Sequence, residues 1–269
     1  MASGFTRHLR AGSLGRRCLT DRSSDHNLPV NENSPTFPET PADPPRTFES
    51  AAQAAIGGTS AGSGEGTPPG SQGANVAQWA RERGALIPDS AVDELPLVSN
   101  STSEHEVHYR PADDRAVKRT WAGFYGQIPT PENCRLGRKN ATPAEYLQRM
   151  ALQNAVFGGD LQLEGVTVSD KPSMIIGQPP GEASMVISQP WYPKEGIATN
   201  EAIRELLEGE GFREAPQSYF GWYREADGVV IVDAKPDNFI LTSAGVVPID
   251  LQMSVFSPEE MAAAGLTNR

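Results

Sequence analysis

Two apolar stretches near the C-terminus are each followed by polar side chains that could carry chemistry. One leads into Asp233, Lys235 and Asn238, and the next leads into Asp250. The Asn238 amide and the Asp250 carboxylate are hard oxygen donors that suit Mg²⁺, which completes its coordination with water and nucleotide phosphates. Asp233 could orient an acceptor hydroxyl and take its proton, while Lys235 offsets charge on the transferred group. The two segments therefore predict a site for phosphoryl transfer.

The spacing of these residues resembles the catalytic loop and metal site of the protein-kinase-like fold. Asp233 precedes Asn238 by five residues, as the loop aspartate of kinases precedes its metal-binding asparagine. Upstream, alternation on a predicted strand over 115–121 puts Ala116 and Lys118 on one face. The resemblance implies that Ala116 leaves room for adenine and that Lys118 reaches the phosphates of ATP.

Further positions follow from the same resemblance. The helix after that strand supplies Glu145, which could pair with Lys118 as the helix-C glutamate of kinases does. The segment 185–190, which contains Ser188 and Gln189, is similar to the strand and hinge whose backbone hydrogen-bonds adenine. Together with the segment 103–107, these motifs look like the compact kinase domain of polyvalent proteins from phages and mobile elements. The resemblance covers about residues 76–256.

The chain also departs from the kinase pattern. No glycine-rich loop occurs, and 99–104 in its place offers only small polar residues for phosphate contact. Ile231 and Val232 replace the His-Arg pair before the catalytic aspartate, and only 19 residues follow Asp250. We therefore expect neither a full activation segment nor the helical platform on which kinases bind peptides. The acceptor, a protein or a small molecule, remains open.

Each candidate residue also has a structural interpretation. The 233–238 segment could be only a turn, since Asp, Pro and Asn form turns, and Asp250 could be a paired structural acid. Lys118 could be a solvated strand lysine. Glu145 lies three residues after Thr142, where it would complete a capping box. For the whole protein, the alternatives are a pseudokinase or nucleotide-binding scaffold without turnover, and an interaction protein with no nucleotide site.

The composition divides the chain at about residue 75. Residues 1–75 are rich in Gly, Pro, Ser and Thr, and Phe5, Phe37 and Phe48 are the only aromatics there. Such a segment buries little apolar surface, which predicts a disordered tail with a flexible linker over 57–73. Residues 1–22 carry five Arg and one acid, a composition that fits a basic arm better than a transit peptide. The folded part is predicted at 76–269, with an N-lobe at about 76–188 and a C-lobe at about 191–269.

Hydrophobic periodicity in the folded part predicts an α+β fold with mostly antiparallel pairing. Predicted strands at 94–98, 106–110, 115–121, 161–168, 173–176 and 183–188 surround a helix that begins after Thr142 and ends at Gly158. A second helix spans about 199–209. Two hairpins follow, the first turning at Asp227 and Gly228 and the second at 243–245.

Charge and cysteine content exclude several protein classes. The net charge of −11 argues against generic nucleic-acid binding, which needs clustered Lys and Arg. No run of 18 apolar residues occurs, so no membrane-spanning segment is expected. Cys18 and Cys134 are too few for a disulfide framework and lack zinc-ligand spacing, which favours a reducing, cytoplasmic setting.

Overall fold

The computed structural model describes residues 47–57, 69–100, 104–169 and 181–267. Its helices are α1 Phe48–Ala55, α2 Pro69–Glu82, α3 Asp89–Asp93, α4 Pro143–Phe157, α5 Asn200–Gly209 and α6 Pro258–Ala263. The first seven strands are β1 Leu97–Ser99, β2 His105–Arg110, β3 Arg115–Thr120, β4 Gln127–Glu132, β5 Arg135–Asn140, β6 Gln162–Val168 and β7 Ala183–Pro190. The others are β8 Gly196–Ile197, β9 Arg213–Glu214, β10 Trp222–Arg224, β11 Val229–Val232, β12 Phe239–Thr242, β13 Gly245–Pro248 and β14 Gln252–Val255.

A five-stranded sheet forms in the first half of the described chain, in the order β1-β2-β3-β7-β6 with antiparallel neighbours. The predicted hairpin at 106–121 is confirmed, because β2 and β3 pair with Val107 opposite Lys118. The predicted strand at 94–98 is shifted in the structure, since α3 is followed by β1 only at Leu97. The predicted strand at 173–176 lies outside the described residues.

Helix α4 packs on the core under this sheet. Thr142 accepts a hydrogen bond from the Glu145 amide and the Glu145 side chain accepts one from the Thr142 amide, which closes the predicted capping box. The helix ends at Gly158, which has a left-handed conformation with φ 62°. The buried face of α4 joins a core cluster that includes Tyr146, Leu147 and Met150.

The second half of the chain forms two smaller antiparallel sheets, in the orders β14-β11-β10-β9 and β13-β12-β8. The two predicted hairpins are present, as β10 with β11 and as β12 with β13. At the first turn, a Cβ on Gly228 would lie 2.4 Å from the carbonyl oxygen of Phe256, so only glycine fits there. The strand β11 is fully buried and delivers Asp233 at its end. The structure therefore confirms an α+β fold with mostly antiparallel sheets.

The prediction that residues 1–75 are uniformly disordered is wrong where the structure describes them. Helix α1 begins after Thr47, whose hydroxyl accepts a hydrogen bond from the Ser50 amide, and it buries Phe48 and three alanines in the same cluster as α4. Helix α2 also begins before residue 76. Alanine faces allow close helix packing with few aromatic residues, so the low aromatic content of this segment did not indicate the two helices. The rest of the predicted tail, 1–46 and 58–68, lies outside the described residues.

A hairpin of β4 and β5 was not expected from the sequence. It turns at Asn133 and Cys134, which both have positive φ angles, of 50° and 60°. This conformation at both central residues is typical of a tight two-residue turn. Gly265 after α6 packs against the turn, because a Cβ there would lie 2.7 Å from the Cys134 carbonyl oxygen.

Candidate functional site

Lys118 and Asp250 meet in the structure although 132 positions separate them. The Lys118 ammonium donates hydrogen bonds of 2.9 Å to Asp250 Oδ1 and to the Ile249 carbonyl oxygen. The side chain of Lys118 is 3% exposed, whereas that of Asp250 is 37% exposed. Lys118 is therefore buried and donates a hydrogen bond to one oxygen of a partly exposed carboxylate. The alternative that it is a solvated strand lysine is wrong.

Asn238 lies beside this pair at the same end of the β12 and β13 hairpin. Phe239 faces Pro248 in the register of the two strands, and the Ile249 amide donates a 3.0 Å hydrogen bond to the Asn238 carbonyl oxygen. Antiparallel pairing therefore brings the residue before β12 next to the residues that follow β13. Asn238 and Asp250, which the sequence assigns to the metal, share one edge.

Asp233 lies in a strained backbone conformation at the end of β11, with φ 62°. The Asn238 amide nitrogen donates to the Asp233 carbonyl oxygen at 2.7 Å and to Oδ2 at 3.0 Å. The Lys235 ammonium is 3.3 Å from the same Oδ2. These contacts join the three loop residues predicted from the sequence and connect them, through Asn238, to the edge that carries Asp250.

Arg138 is a member of this cluster that the sequence did not reveal. Its guanidinium lies 3.1 Å from Asp233 Oδ1 and comes from β5 of the unexpected hairpin. The side chain of Arg138 is 38% exposed, while that of Asp233 is 13% exposed. No local signal pointed to it, because the contact depends on where the hairpin packs and not on spacing along the chain.

Asn238 and Asp250 offer the kinds of oxygen atom that magnesium binds. Because Asn238 uses its amide nitrogen on Asp233, its oxygen remains available as an acceptor. Asp250 Oδ1 accepts from Lys118, while Oδ2 accepts no hydrogen bond from the described residues. Within that part of the chain, no group of three or more His, Cys, Asp and Glu side chains could hold a metal by itself. Two oxygen ligands suit an ion that takes its other positions from phosphate and water.

Burial and charge act in opposite directions on the Asp250 carboxyl. Desolvation alone would raise its pKa, but the Lys118 ammonium and, more weakly, the His105 ring outweigh it, so the pKa is lowered. His105 Nδ1 is 3.8 Å from Asp250 Oδ1, and its Nε2 is 2.9 Å from the Tyr146 hydroxyl oxygen. Burial lowers the pKa of His105. Asp250 therefore carries its negative charge at neutral pH, as a metal ligand must.

The prediction that Glu145 pairs with Lys118 is wrong. The Glu145 carboxylate accepts a 2.7 Å hydrogen bond from Lys139 and a 2.9 Å bond from the Thr142 amide. The local capping box uses this side chain, and Lys118 has Asp250 instead. Helix α4 directs Arg149 inward, where its guanidinium pairs with Glu104 and donates 2.8 Å to the Gln127 carbonyl oxygen.

Ala116, Ser188 and Gln189 lie together where β3 pairs with β7, since Ala116 faces Gln189 and the next residue faces Ser188. The Ser188 hydroxyl accepts from Arg115 at 2.8 Å and donates to Glu164 at 2.5 Å, and its carbonyl oxygen accepts from Arg115 at 3.2 Å. Ser188 is therefore part of a polar cluster within the sheet. Gln189 instead lines a cavity of about 220 Å³ that also contacts β13, the strand leading to Asp250.

Comparison of the chain with protein-family models, curated proteins and solved structures finds no match. Among the described residues, no helix is both long enough and apolar enough to cross a membrane. What can be inferred about function therefore comes from the residues of the cluster and the contacts between them.

Proposed function

We propose that the protein is a Mg·ATP-dependent phosphotransferase of the reduced, two-lobed kinase-like type. The observation that carries this proposal is the 2.9 Å contact between Lys118 and Asp250, beside Asn238. A lysine, a carboxylate and an amide oxygen at one partly exposed edge are what phosphate binding with a divalent ion requires. The sequence resemblance to the kinase domain of polyvalent proteins assigns the same residues to these roles.

Each residue has a defined part in the proposed transfer. Asn238 and Asp250 hold the magnesium ion, which when bound neutralises charge on the phosphates. Lys118 and Lys235 stabilise phosphate charge, and Asp233 orients the acceptor hydroxyl and accepts its proton. Ala116 and Gln189 border the adenine, while Ser188 fixes the strand that carries Gln189. Most of the rate enhancement then comes from positioning and charge neutralisation.

In this proposal an N-lobe at about 76–188 and a C-lobe at about 191–269 meet at the contact between Lys118 and Asp250. The N-lobe contains the five-stranded sheet and α4, and the C-lobe contains the loop of Asp233 and the β12 and β13 hairpin. The acceptor is a molecule with a free hydroxyl group. A cytoplasmic location is proposed because the chain is poor in cysteine and its Cys134 is a free, exposed thiol.

A nucleotide-binding scaffold without turnover is the second candidate, and one observation favours it. Arg138 pairs with Asp233 at 3.1 Å, so the carboxylate that would accept the proton is already engaged by a cation. Arg138 occupies Oδ1 and the Asn238 amide donates to Oδ2, so both oxygens of the Asp233 carboxylate already have partners. Binding of Mg·ATP without transfer to any acceptor would support this candidate.

Titration calorimetry with ATP and Mg²⁺, combined with a γ-phosphate release assay, tests the proposal. We expect Asp250→Ala to weaken Mg·ATP binding and to reduce phosphate release by at least about a hundredfold. The matched control is Asp113→Ala, which removes an aspartate from the turn between β2 and β3, away from the cluster. Equal activity of Asp250→Ala and the wild type would contradict the proposal. A melting temperature that does not change in millimolar ATP would favour an interaction protein with no nucleotide site.

A further inference from the structure

A small cavity lies where the end of β7, the end of β13 and the C-terminal part of α4 come together. Gln189, Pro248 and Gln153 line it from these three elements, and its volume is about 220 Å³. At about 30 Å³ for each molecule of liquid water, the cavity could hold about seven waters. It can therefore take one compact group of a ligand, such as a planar ring, and not a whole nucleotide.

The side-chain oxygen of Gln153 is the polar atom that distinguishes this cavity. Gln153 is 3% exposed, and its Nε2 donates a 3.3 Å hydrogen bond to the Pro248 carbonyl oxygen. Its Oε1 is buried and accepts no hydrogen bond from the described part of the chain. A buried acceptor without a partner destabilises the fold, because it has lost its hydrogen bonds to water. The arrangement therefore favours binding of a group that donates a hydrogen bond to Oε1.

The lining of the cavity is partly aromatic and contains a single ion pair. Phe157, Tyr192 and Val247 contribute ring and aliphatic surface. Asp160 is the one charged residue among the described lining residues, and its Oδ2 accepts a 2.7 Å hydrogen bond from Arg115. Because a cation already pairs with this carboxylate, the cavity offers no free charge to a ligand. An uncharged planar group fits it better than a phosphate does.

Two walls of the cavity lead to the contact between Lys118 and Asp250. On one wall, Gln189 faces Ala116 in the register of β7 and β3, and Ala116 lies two residues before Lys118. On the other wall, Pro248 lies two residues before Asp250. Two residues along a strand span about 6.6 to 6.8 Å. A nucleotide with its phosphates at the Lys118 and Asp250 pair could therefore place its base in this cavity.

We propose that this cavity holds the adenine ring of ATP and that Gln153 is the residue that distinguishes adenine from guanine. The inference rests on the proposed phosphotransferase function and adds the basis of nucleotide selection. The 6-amino group of adenine donates a hydrogen bond to Gln153 Oε1, as it does to glutamine side chains in the major groove of DNA. Guanine has a carbonyl oxygen at the same ring position, so it would bring two acceptors together and leave Oε1 unpaired.

Three triphosphates test this selection in the full-length wild type with Mg²⁺ present. They are ATP, GTP and purine riboside triphosphate, which differs from ATP only in lacking the 6-amino group. We expect calorimetry to show that purine riboside triphosphate binds about tenfold more weakly than ATP, and that GTP binds more weakly still. Equal affinity for ATP and purine riboside triphosphate, or a preference for GTP, would overturn the proposal and show that the base assignment alone is wrong. If none of the three binds, the proposed function itself fails and the base assignment fails with it.

Substitution of Gln153 assigns the selection to this residue. Gln153→Met keeps the length of the side chain and removes the acceptor, so ATP should bind about tenfold more weakly and lose most of its advantage over GTP. Gln148→Met makes the same change at an exposed position of α4 and should leave both affinities unchanged. An ATP preference that persists in Gln153→Met would show that another group recognises the base, against the proposal. Melting temperatures without nucleotide check that both variants fold. The comparison of the three triphosphates in the wild type decides the question if Gln153→Met does not fold.

Discussion

The ammonium of Lys118 lies 2.9 Å from the carboxylate of Asp250; Lys118 is in β3, and Asp250 lies between β13 and β14. Lys118 is almost fully buried and Asp250 is partly exposed, and the Asp250 carboxylate and the Ile249 carbonyl oxygen are the hydrogen-bond acceptors of the buried ammonium. The pair is a direct connection between the five-stranded sheet and the edge that carries Asn238 and Asp250.

Removing the ammonium should raise the pKa of Asp250. In the wild type, desolvation raises this pKa, but Lys118 and, more weakly, His105 together outweigh it, so Lys118→Met removes the strongest opposing influence and the effect of burial dominates. A carboxyl with a lowered pKa in the folded state stabilises the fold above its unfolded pKa, and this stabilisation is lost as the pH falls through the folded value. We therefore expect the wild type to lose this stabilisation as the pH falls through the folded pKa of Asp250, whereas Lys118→Met should lack that loss, so the variant should be most destabilised relative to the wild type at neutral pH. NMR titration of the Asp250 side-chain carbon measures the pKa itself.

Lys139→Met is the matched control for that variant, because Lys139 is half exposed and pairs with Glu145. Its removal should leave the Asp250 titration unchanged. An Asp250 pKa that is equal in Lys118→Met and in the wild type would show that the contact does not govern the ionisation of this carboxyl.

His108 should make the fold more stable at acid pH. Its Nδ1 is 3.0 Å from the Leu95 carbonyl oxygen, and its Nε2 is 3.5 Å from Glu106 Oε1. Desolvation lowers its pKa, but the interactions with Glu106 and Leu95 outweigh it and raise the pKa above 6.5. A raised histidine pKa adds stability that is fully present below the unfolded pKa and is lost as the pH rises through the folded value.

The His108→Gln variant tests this sign. Urea unfolding at pH 5 and at pH 8 should show a larger loss of stability, relative to the wild type, at pH 5 than at pH 8. The variant keeps a polar side chain of similar reach, so packing changes should affect both pH values equally. A larger loss at pH 8 would contradict the raised pKa.

Removing one member of the buried ion pair of Arg149 and Glu104 should strongly destabilise the fold. The two side chains are 2% and 11% exposed, so Arg149→Met leaves an uncompensated charge on Glu104 in the interior. We expect the free energy of unfolding to fall by about 3 to 5 kcal/mol. Arg135→Met, at a half-exposed arginine 3.8 Å from Glu132, should change it by less than about 0.5 kcal/mol.

A double variant separates the charge from the packing. Arg149→Met combined with Glu104→Leu removes both charges and should recover part of the stability that the single variant loses, because no buried charge remains unpaired. Urea denaturation of the four proteins gives the coupling between the two positions. Additive losses in the double variant would show that the pair is not coupled.

The sequence predicted the parts of the fold whose signals are local. The capping box of α4 and the turn at Gly228 are set by residues within a few positions of each other, so their patterns are visible before any tertiary contact exists. The hairpin of β4 and β5 has no such pattern, because Pro129 and Pro131 interrupt an already weak alternation. A strand can contain these prolines since β4 pairs on one side only, with β5.

In the candidate site, too, the sequence predicted the contacts between residues that are close along the chain and missed those between distant residues. Asp233, Lys235 and Asn238 are close in sequence, and the structure brings them together within one loop. Glu145 was also marked by a local pattern, but that pattern was the capping box. The capping box uses the Glu145 carboxylate, so this carboxylate does not pair with Lys118. Arg138 and Arg149 pair with residues that are distant in the sequence, so only the packing of the hairpin and of α4 reveals these contacts.

Helix α1 should contribute to the stability of the fold, although it lies in a segment that its composition marks as disordered. Phe48 is 5% exposed and belongs to the same core cluster as Trp79 and Leu147, so Phe48→Ala removes a buried aromatic ring and leaves a cavity. We expect the free energy of unfolding to fall by about 3 to 5 kcal/mol. Ile56→Ala at the exposed end of the same helix should cost less than about 1 kcal/mol. Equal unfolding midpoints for the two variants in urea would mean that α1 does not pack on the core in solution, and that the aromatic content had classified the segment correctly.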